Sequence, residues 1–412
     1  MKNILEIFLG ILTAMGGFVE IGELLFTING GAKFGFRLLW VVALGTLGII
    51  VYGEMAGRIA AVTHKPVFEV IRDHLGYKAG FGTLIAANLV NLMTCAAEIG
   101  GVAIILKLLF NTNYFLMIVV ATVLLYLTIW FLSLQHIERI FGLLGLLMVV
   151  FIVSAIYAGP SWSGVAAGFI PSLPESRFTG ELYTYAYFVV ALLSSIMLPY
   201  ETYFYSSGAI EDKWTTDDVP MNRIIVIVGF TLGGLLAAAL LIVGAQVFGP
   251  RLIEPELPGT AALAPAIFLG KVGLLLGLLG MLFAIGGAAI ETSLAGAYNI
   301  AQFEGWSWGK QRGPRSVPRF TASWVVILGM AMLIIISGVD PVEVVEYSIV
   351  FAVVILPLTY YPMLSTAADK KLMGRHVNGL LAKTLGWFYF VLITLAALAA
   401  VPLLILSHGG KG

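Results

Sequence analysis

The chain alternates between long apolar runs and short polar connections. Eleven runs are each about the 20 residues that a helix needs to cross a bilayer. They lie near residues 4–28, 36–61, 80–110, 114–135, 138–159, 182–208, 222–248, 262–300, 317–338, 342–366 and 383–407. The eighth exceeds the length of one span and is expected to run past the bilayer or bend. The polar connections, such as 161–181, 305–318 and 369–383, are too short for an extramembrane domain. Residues 1–412 therefore read as one membrane domain.

Two runs carry charge where a span should carry none. In the first, Gly16-Gly17-Phe18-Val19-Glu20-Ile21-Gly22-Glu23 sets two carboxylates around a glycine. A charge at bilayer depth costs at least ~2.5–3.5 kcal/mol on insertion scales, so it must face protein, water or a cation. Glycine weakens a helix by roughly 1 kcal/mol and lets the backbone leave helical geometry. In the sixth run, Pro199 sits in Ile196-Met197-Leu198-Pro199-Tyr200-Glu201. Proline inside a helix removes one hydrogen bond and clashes with the preceding turn. The two interrupted spans are five apart, which fits a five-plus-five inverted repeat: 1–159, 182–366, and an eleventh span at 383–407. Interrupted helices at matching places in two halves point to a transporter's substrate site.

Composition agrees. The 412 residues are 59% hydrophobic and 11% charged, against about 45–50% and about 25% in soluble domains. With a mean hydropathy of +0.98, the chain reads as an all-α polytopic membrane protein whose first partner is the lipid bilayer. A formal net charge of zero gives no signal for nucleic acid. Cys95 is the one cysteine, so no disulfide forms within the chain. Glu6, the length of the first run and the lack of an A-x-A-like site argue against a cleaved signal peptide. Sixteen lysines and arginines fall on the side of the N-terminus and seven on the other. The positive-inside rule then sets the N-terminus in the cytoplasm and the C-terminus outside, in a membrane expected to be the prokaryotic cytoplasmic one. No nucleophile elbow, phosphate loop, H-E-x-x-H or nucleotide fingerprint occurs, so an enzyme is not expected and no cofactor is called for.

The chain also resembles the NRAMP family of divalent metal transporters. The resemblance rests on Gly30-Gly31-Ala32-Lys33-Phe34-Gly35-Phe36-Arg37, the run from Arg58 to Glu69, Thr94-Cys95-Ala96-Ala97-Glu98-Ile99, Gly168-Phe169-Ile170-Pro171, Leu356-Pro357 and Asp369-Lys370-Lys371-Leu372-Met373-Gly374. It implies a LeuT-type fold of about 11 helices with spans one and six broken, working by alternating access. The family's metal motif D-P-G-N reads here Glu20-Ile21-Gly22-Glu23, and its M-P-H reads Leu198-Pro199-Tyr200. The third-span aspartate is Cys95, the following glutamate is kept as Glu98, and the tenth-span glutamine is Ile349. The thioether ligand is lost unless Met197 replaces it through a one-residue shift.

Soft thioethers select soft or borderline metals, whereas oxygen-only sites suit Mg²⁺, Ca²⁺ and Mn²⁺. The expected cargo is Mg²⁺ or Mn²⁺, held by Glu20, Glu23, Glu201 and the Leu198 carbonyl, with Gly22, Met197, Pro199 and Tyr200 along the pathway. Glu98 and Glu291 are candidates for proton movement or coupling, with a helix-packing hydrogen bond the equal alternative. The lesser alternative for Glu20 and Glu23, three apart on one helix face, is that they are structural carboxyls bound to a neighbouring helix or kept protonated. The competing function is an H⁺- or Na⁺-coupled carrier of a small organic solute on the same scaffold. A monomer and a homodimer are both compatible with the sequence.

Overall fold

The computed structural model describes residue 11, residues 19–174 and residues 179–410. The first half of the expected first span, with Glu6, Gly16 and Gly17, lies outside the described residues, as do Lys2, Arg177 and Lys411. The main helices are α1 (Ile21–Phe34), α2 (Leu39–Thr63), α3 (Val67–Phe110), α4 (Tyr114–Phe131) and α5 (Leu134–Tyr157). They continue as α6 (Thr179–Ile196), α7 (Pro199–Glu211), α8 (Val219–Val243), α9 (Leu263–Phe303), α10 (Pro318–Ile336), α11 (Pro341–Ala368) and α12 (Leu380–Leu406).

Among the described residues, ten helical stretches are long and apolar enough to cross a membrane. One of them, Ile21–Thr63, joins the described part of the first expected span to the second, so the eleven runs are accounted for. The sixth-span interruption occurs, and at the first the described residues begin non-helical. Val19 and Glu20 are non-helical ahead of α1, and Met197 and Leu198 separate α6 from α7, where Pro199 takes the first helical position. Pro199 is suited to that place because its missing N–H would have no partner there and its φ is already helical.

Two of the runs bend at a glycine. α3 is two helices joined at Gly76, which adopts φ 72°. A short amphipathic segment from Val67 folds against α7, with Val67 N–H donating to Ser206 Oγ at 3.2 Å, and the third span follows the kink, near the expected residue 80. The long eighth run bends at Gly270, which adopts φ 60°. That left-handed conformation is open to glycine at no steric cost.

α3 and α9 pack along their length and form the centre, and α12 is the least enclosed span. α1 crosses the end of α8 by direct backbone approach. A Cβ on Gly31 would overlap the Leu241 carbonyl oxygen, and one on Gly244 would overlap that of Ile28. Small residues at such crossings let packing and weak C–H···O contacts replace the hydrophobic drive that lipid cannot supply. Backbone cannot yield as a side-chain tip can. Gly31→Ala is therefore expected to destabilise the protein by ~1–3 kcal/mol, the usual cost of overpacking. A thermal transition in detergent unchanged from wild type would refute this.

Candidate functional site

The site is assembled where α1 and α7 begin. A helix leaves its first N–H groups without internal partners and carries a partial positive charge at that end. Glu20, the residue before α1, turns its carboxylate back so that Oε1 accepts the N–H of Glu23 at 2.6 Å. Glu98 of α3 reaches across, and its Oε1 accepts the N–H of Ile21 at 3.1 Å. Two carboxylates from separate spans thus cap one broken helix. They also face each other at hydrogen-bonding range. With no donor between them, that approach is repulsive unless a proton or a cation lies there.

Glu23 points one oxygen at Thr27, whose hydroxyl donates to Oε1 at 3.2 Å. Among the described residues its second oxygen accepts no hydrogen bond, and neither does Oε2 of Glu98 or either oxygen of Glu201. All four residues, Glu20, Glu23, Glu98 and Glu201, are at most 5% exposed. Buried acceptors are normally satisfied, so orphaned carboxylate oxygens at a helix break are where an ion, a proton or water belongs. Glu201, in the first turn of α7, lies in electrostatic range of Glu291, Glu20 and Glu23. Among the described residues no three His, Cys, Asp or Glu side chains converge closely enough to enclose a metal. The three carboxylates expected around one ion are therefore not gathered into a single shell, and Glu98 is the nearer companion of Glu20.

Gly22 is held by space. A Cβ there would stand 2.5 Å from Glu20 Oε1, 2.6 Å from Ile349 Cδ1 and 3.0 Å from Val345 Cγ1. Ile349, where the family pattern has glutamine, thus packs directly on the break.

The sixth-span break is fastened to α11. Ser194 Oγ donates to the Ile349 carbonyl at 2.7 Å, and the Tyr360 hydroxyl donates to the Met197 carbonyl at 3.1 Å. Tyr203 and Thr359 share a hydrogen bond at 2.6 Å. Tyr360 is itself stacked on Tyr52, with ring centroids 3.7 Å apart. The Leu198 carbonyl occupies the helix-capping place, ahead of Pro199, and Tyr200 is fully buried just after it.

Met197 does not supply a shifted thioether. Its Sδ and Cε pack on the bare backbone of Gly48 in α2, next to the Tyr389 ring of α12. The sulfur is used as packing between spans, and what is left at the break among the described residues is oxygen. Glu291 lies elsewhere too. It lines a cavity of about 20 Å³ between α5, α7 and α9, together with Glu138, Phe141 and Phe204, which is room for one water. Cys95 is a core residue whose Sγ lies 3.7 Å from the Ala289 carbonyl.

Two buried residues of this region were not singled out from the sequence. Asn91 and Thr94 are at most 1% exposed, and their side-chain polar atoms have no hydrogen-bond partner among the described residues. With Glu98 they occupy positions three and four apart, one face of α3. That spacing inside an apolar run was the available signal.

The comparisons with known proteins bear on the family and the fold. The divalent metal cation transporter MntH of Levilactobacillus brevis is 27% identical over 400 residues, spanning 92% of this chain and 84% of that protein. MntH of Deinococcus radiodurans is 27% identical over 393 residues, spanning 91% and 85%. A mutant of the Eremococcus coleocola manganese transporter has a crystal structure that superposes with a TM-score of 0.76 at 21% identity, over 95% of this chain and 85% of that one. MhsT in complex with L-phenylalanine superposes with a TM-score of 0.62 at 14% identity, over 98% and 99%. These likenesses give the fold, a LeuT-type membrane bundle with its first and sixth spans broken. The family model for natural resistance-associated macrophage protein-like chains (Nramp) matches residues 10–402, both breaks included, and the chain belongs to that family.

Proposed function

We propose that the chain carries a divalent metal ion across the membrane by alternating access, and that the ion is a hard one, Mg²⁺ or Mn²⁺. Family membership and relatives named as divalent metal cation transporters support the metal. The observation that carries its hardness is the direction of Met197: with the sulfur packed on Gly48, the donors at the two breaks among the described residues are oxygens. Glu20 and Glu23 would be the principal ligands, with the Leu198 carbonyl and retained waters, since Mg²⁺ needs only one or two carboxylates. Glu201, with both oxygens orphaned, would join when the halves close. Alternating access calls for ligands that gather in one state and part in another, which suits their separation here.

Glu98 is the coupling group in this reading. A proton between Glu20 and Glu98 would neutralise the pair when the metal leaves, so that metal and proton compete for one place. Glu291, with Glu138, would pass protons along a separate short path. The first five spans, residues 1–159, form one repeat and residues 182–366 the other, with the N-terminus cytoplasmic and the C-terminus outside.

Calorimetry on the purified protein with Mg²⁺, Mn²⁺, Ca²⁺, Cd²⁺ and Na⁺ tests the proposal. Saturable binding of Mg²⁺ and Mn²⁺ is expected, with no advantage for the soft Cd²⁺. No divalent binding at millimolar concentration would sink it, and Cd²⁺ binding at least about tenfold tighter than Mn²⁺ would return sulfur to the site.

A further inference from the structure

The segment joining α9 to α10 carries Lys310, Arg312 and Arg315, followed by Arg319 at the head of α10, and no Asp or Glu occurs from Gly305 to Val339. Against the end of α7 it encloses a cavity of about 590 Å³, the walls of which include Lys213, Trp306, Ser307, Trp308 and Arg312, with Glu211 at the back. This cavity lies at the ends of spans, where indole rings and long cationic side chains settle at the lipid–water boundary.

Its cations are not equivalent. Lys310 is mostly buried, and its Nζ donates to the Leu132 carbonyl at 2.6 Å. Burial pushes that ammonium below the ordinary lysine range, against the pull of the neighbouring Glu211 carboxylate. Arg319 lies over the Trp306 ring at 5.3 Å. Lys213 and Arg312 are exposed and make no salt bridge among the described residues.

The single acid on the wall is already occupied. Glu211 accepts the N–H groups of Lys310 and Gln311, each at 2.6 Å, and the hydroxyl of Tyr298. Its oxygens face the loop backbone, so their charge is met by donors that hold the loop in place. Trp308 is fixed edge-on to Tyr298, with centroids 5.5 Å apart. The result is a preformed recess with two indole walls and two cations that form no salt bridge among the described residues.

We propose that this recess binds a phosphate-bearing anion, with Arg312 and Lys213 on the phosphate oxygens and the indoles flanking the group attached to it. Arginine forks and lysine point charges are the side chains suited to phosphate, and basic pockets between membrane spans take anionic headgroups. The same chemistry is offered by a phospholipid headgroup and by free phosphate. The proposal is independent of the ion carried between the breaks.

Calorimetry on the full chain in detergent, with dihexanoyl phosphatidylglycerol, dihexanoyl phosphatidylcholine and inorganic phosphate, tests it. Phosphatidylglycerol is expected to bind about tenfold tighter than phosphatidylcholine, and the Lys213→Gln/Arg312→Gln double variant to lose on the order of tenfold in that affinity. Saturable binding of inorganic phosphate with the same loss in the variant, and no preference between the lipids, supports the recess with free phosphate as its source. Equal phosphatidylglycerol and phosphate affinities in wild type and variant, or no saturable binding of either anion, overturn it. If the double variant does not fold, Ser307→Glu serves instead: it adds a carboxylate at an exposed wall position and must weaken the bound anion similarly.

Discussion

Glu20→Gln is expected to weaken divalent metal binding at least about tenfold and to reduce uptake into proteoliposomes in proportion. Loss of an outer-shell partner alone costs ~10–100-fold in metal affinity, and a direct carboxylate should cost no less. The substitution separates two roles of the side chain. A glutamine Oε1 can still accept the Glu23 N–H, so the 2.6 Å cap on α1 is kept, whereas the charge facing Glu98 is removed. The folded protein should therefore elute and melt much as wild type while binding Mn²⁺ poorly. The variant should also lose competition between protons and metal, because the Glu20–Glu98 pair then holds one ionisable group instead of two. Wild-type Mn²⁺ affinity in a folded Glu20→Gln protein would remove Glu20 from the ligand set.

Gly22→Ala is the second large effect. The new methyl would stand 2.5 Å from Glu20 Oε1 and 2.6 Å from Ile349 Cδ1, so one or both must move. Overpacking of this kind costs ~1–3 kcal/mol of stability, and a displacement near 1 Å at a reacting or binding group costs about a hundredfold in rate. The two clashes can be told apart. Adding Ile349→Ala to Gly22→Ala opens the side where Ile349 stood but leaves the methyl against the carboxylate. Stability should then recover in part, while uptake of Mn²⁺ stays low. If the double variant transports at the wild-type rate, the glycine serves packing alone and the close approach to Glu20 has no functional weight.

The relation between the two breaks depends on α11. It receives the Ser194 hydroxyl at Ile349, supplies the Tyr360 hydroxyl to the Met197 carbonyl, and lays Ile349 and Val345 over Gly22. One helix therefore touches both interrupted spans, and the α1 and α7 entrances are coupled through it as well as through any ion between them. In the proposed alternating access, movement of α11 would therefore act on both breaks at once.

Much of this was written in the sequence. The apolar runs gave the spans because a bilayer demands about 20 residues of hydrocarbon-compatible helix and tolerates no unpaired backbone. The sixth-span break was legible at Pro199, which acts through its own backbone chemistry and needs no neighbour to do so. Gly22 marked the first only in its neighbourhood: it is itself helical, and the non-helical residues are Val19 and Glu20 ahead of it. The depth of Glu20, Glu23, Glu98 and Glu201 followed from their positions in the runs. What a buried side chain faces did not follow, because that depends on how each helix is rotated about its axis. Rotation is set by contacts with spans far away in the chain. Met197 illustrates this: Gly48, 149 positions earlier, offers bare backbone that accepts its sulfur and turns it away from the break. Glu98 reaches the start of α1 because the N–H of Ile21, left free there, is available to be bonded. Glu291, as apolar in its surroundings as the others by sequence, turned to α5 and Glu138 instead. The sequence by itself determined where the membrane helices run and where two of them must break; only the packing of α2, α3 and α11 around those breaks decided which atoms meet there.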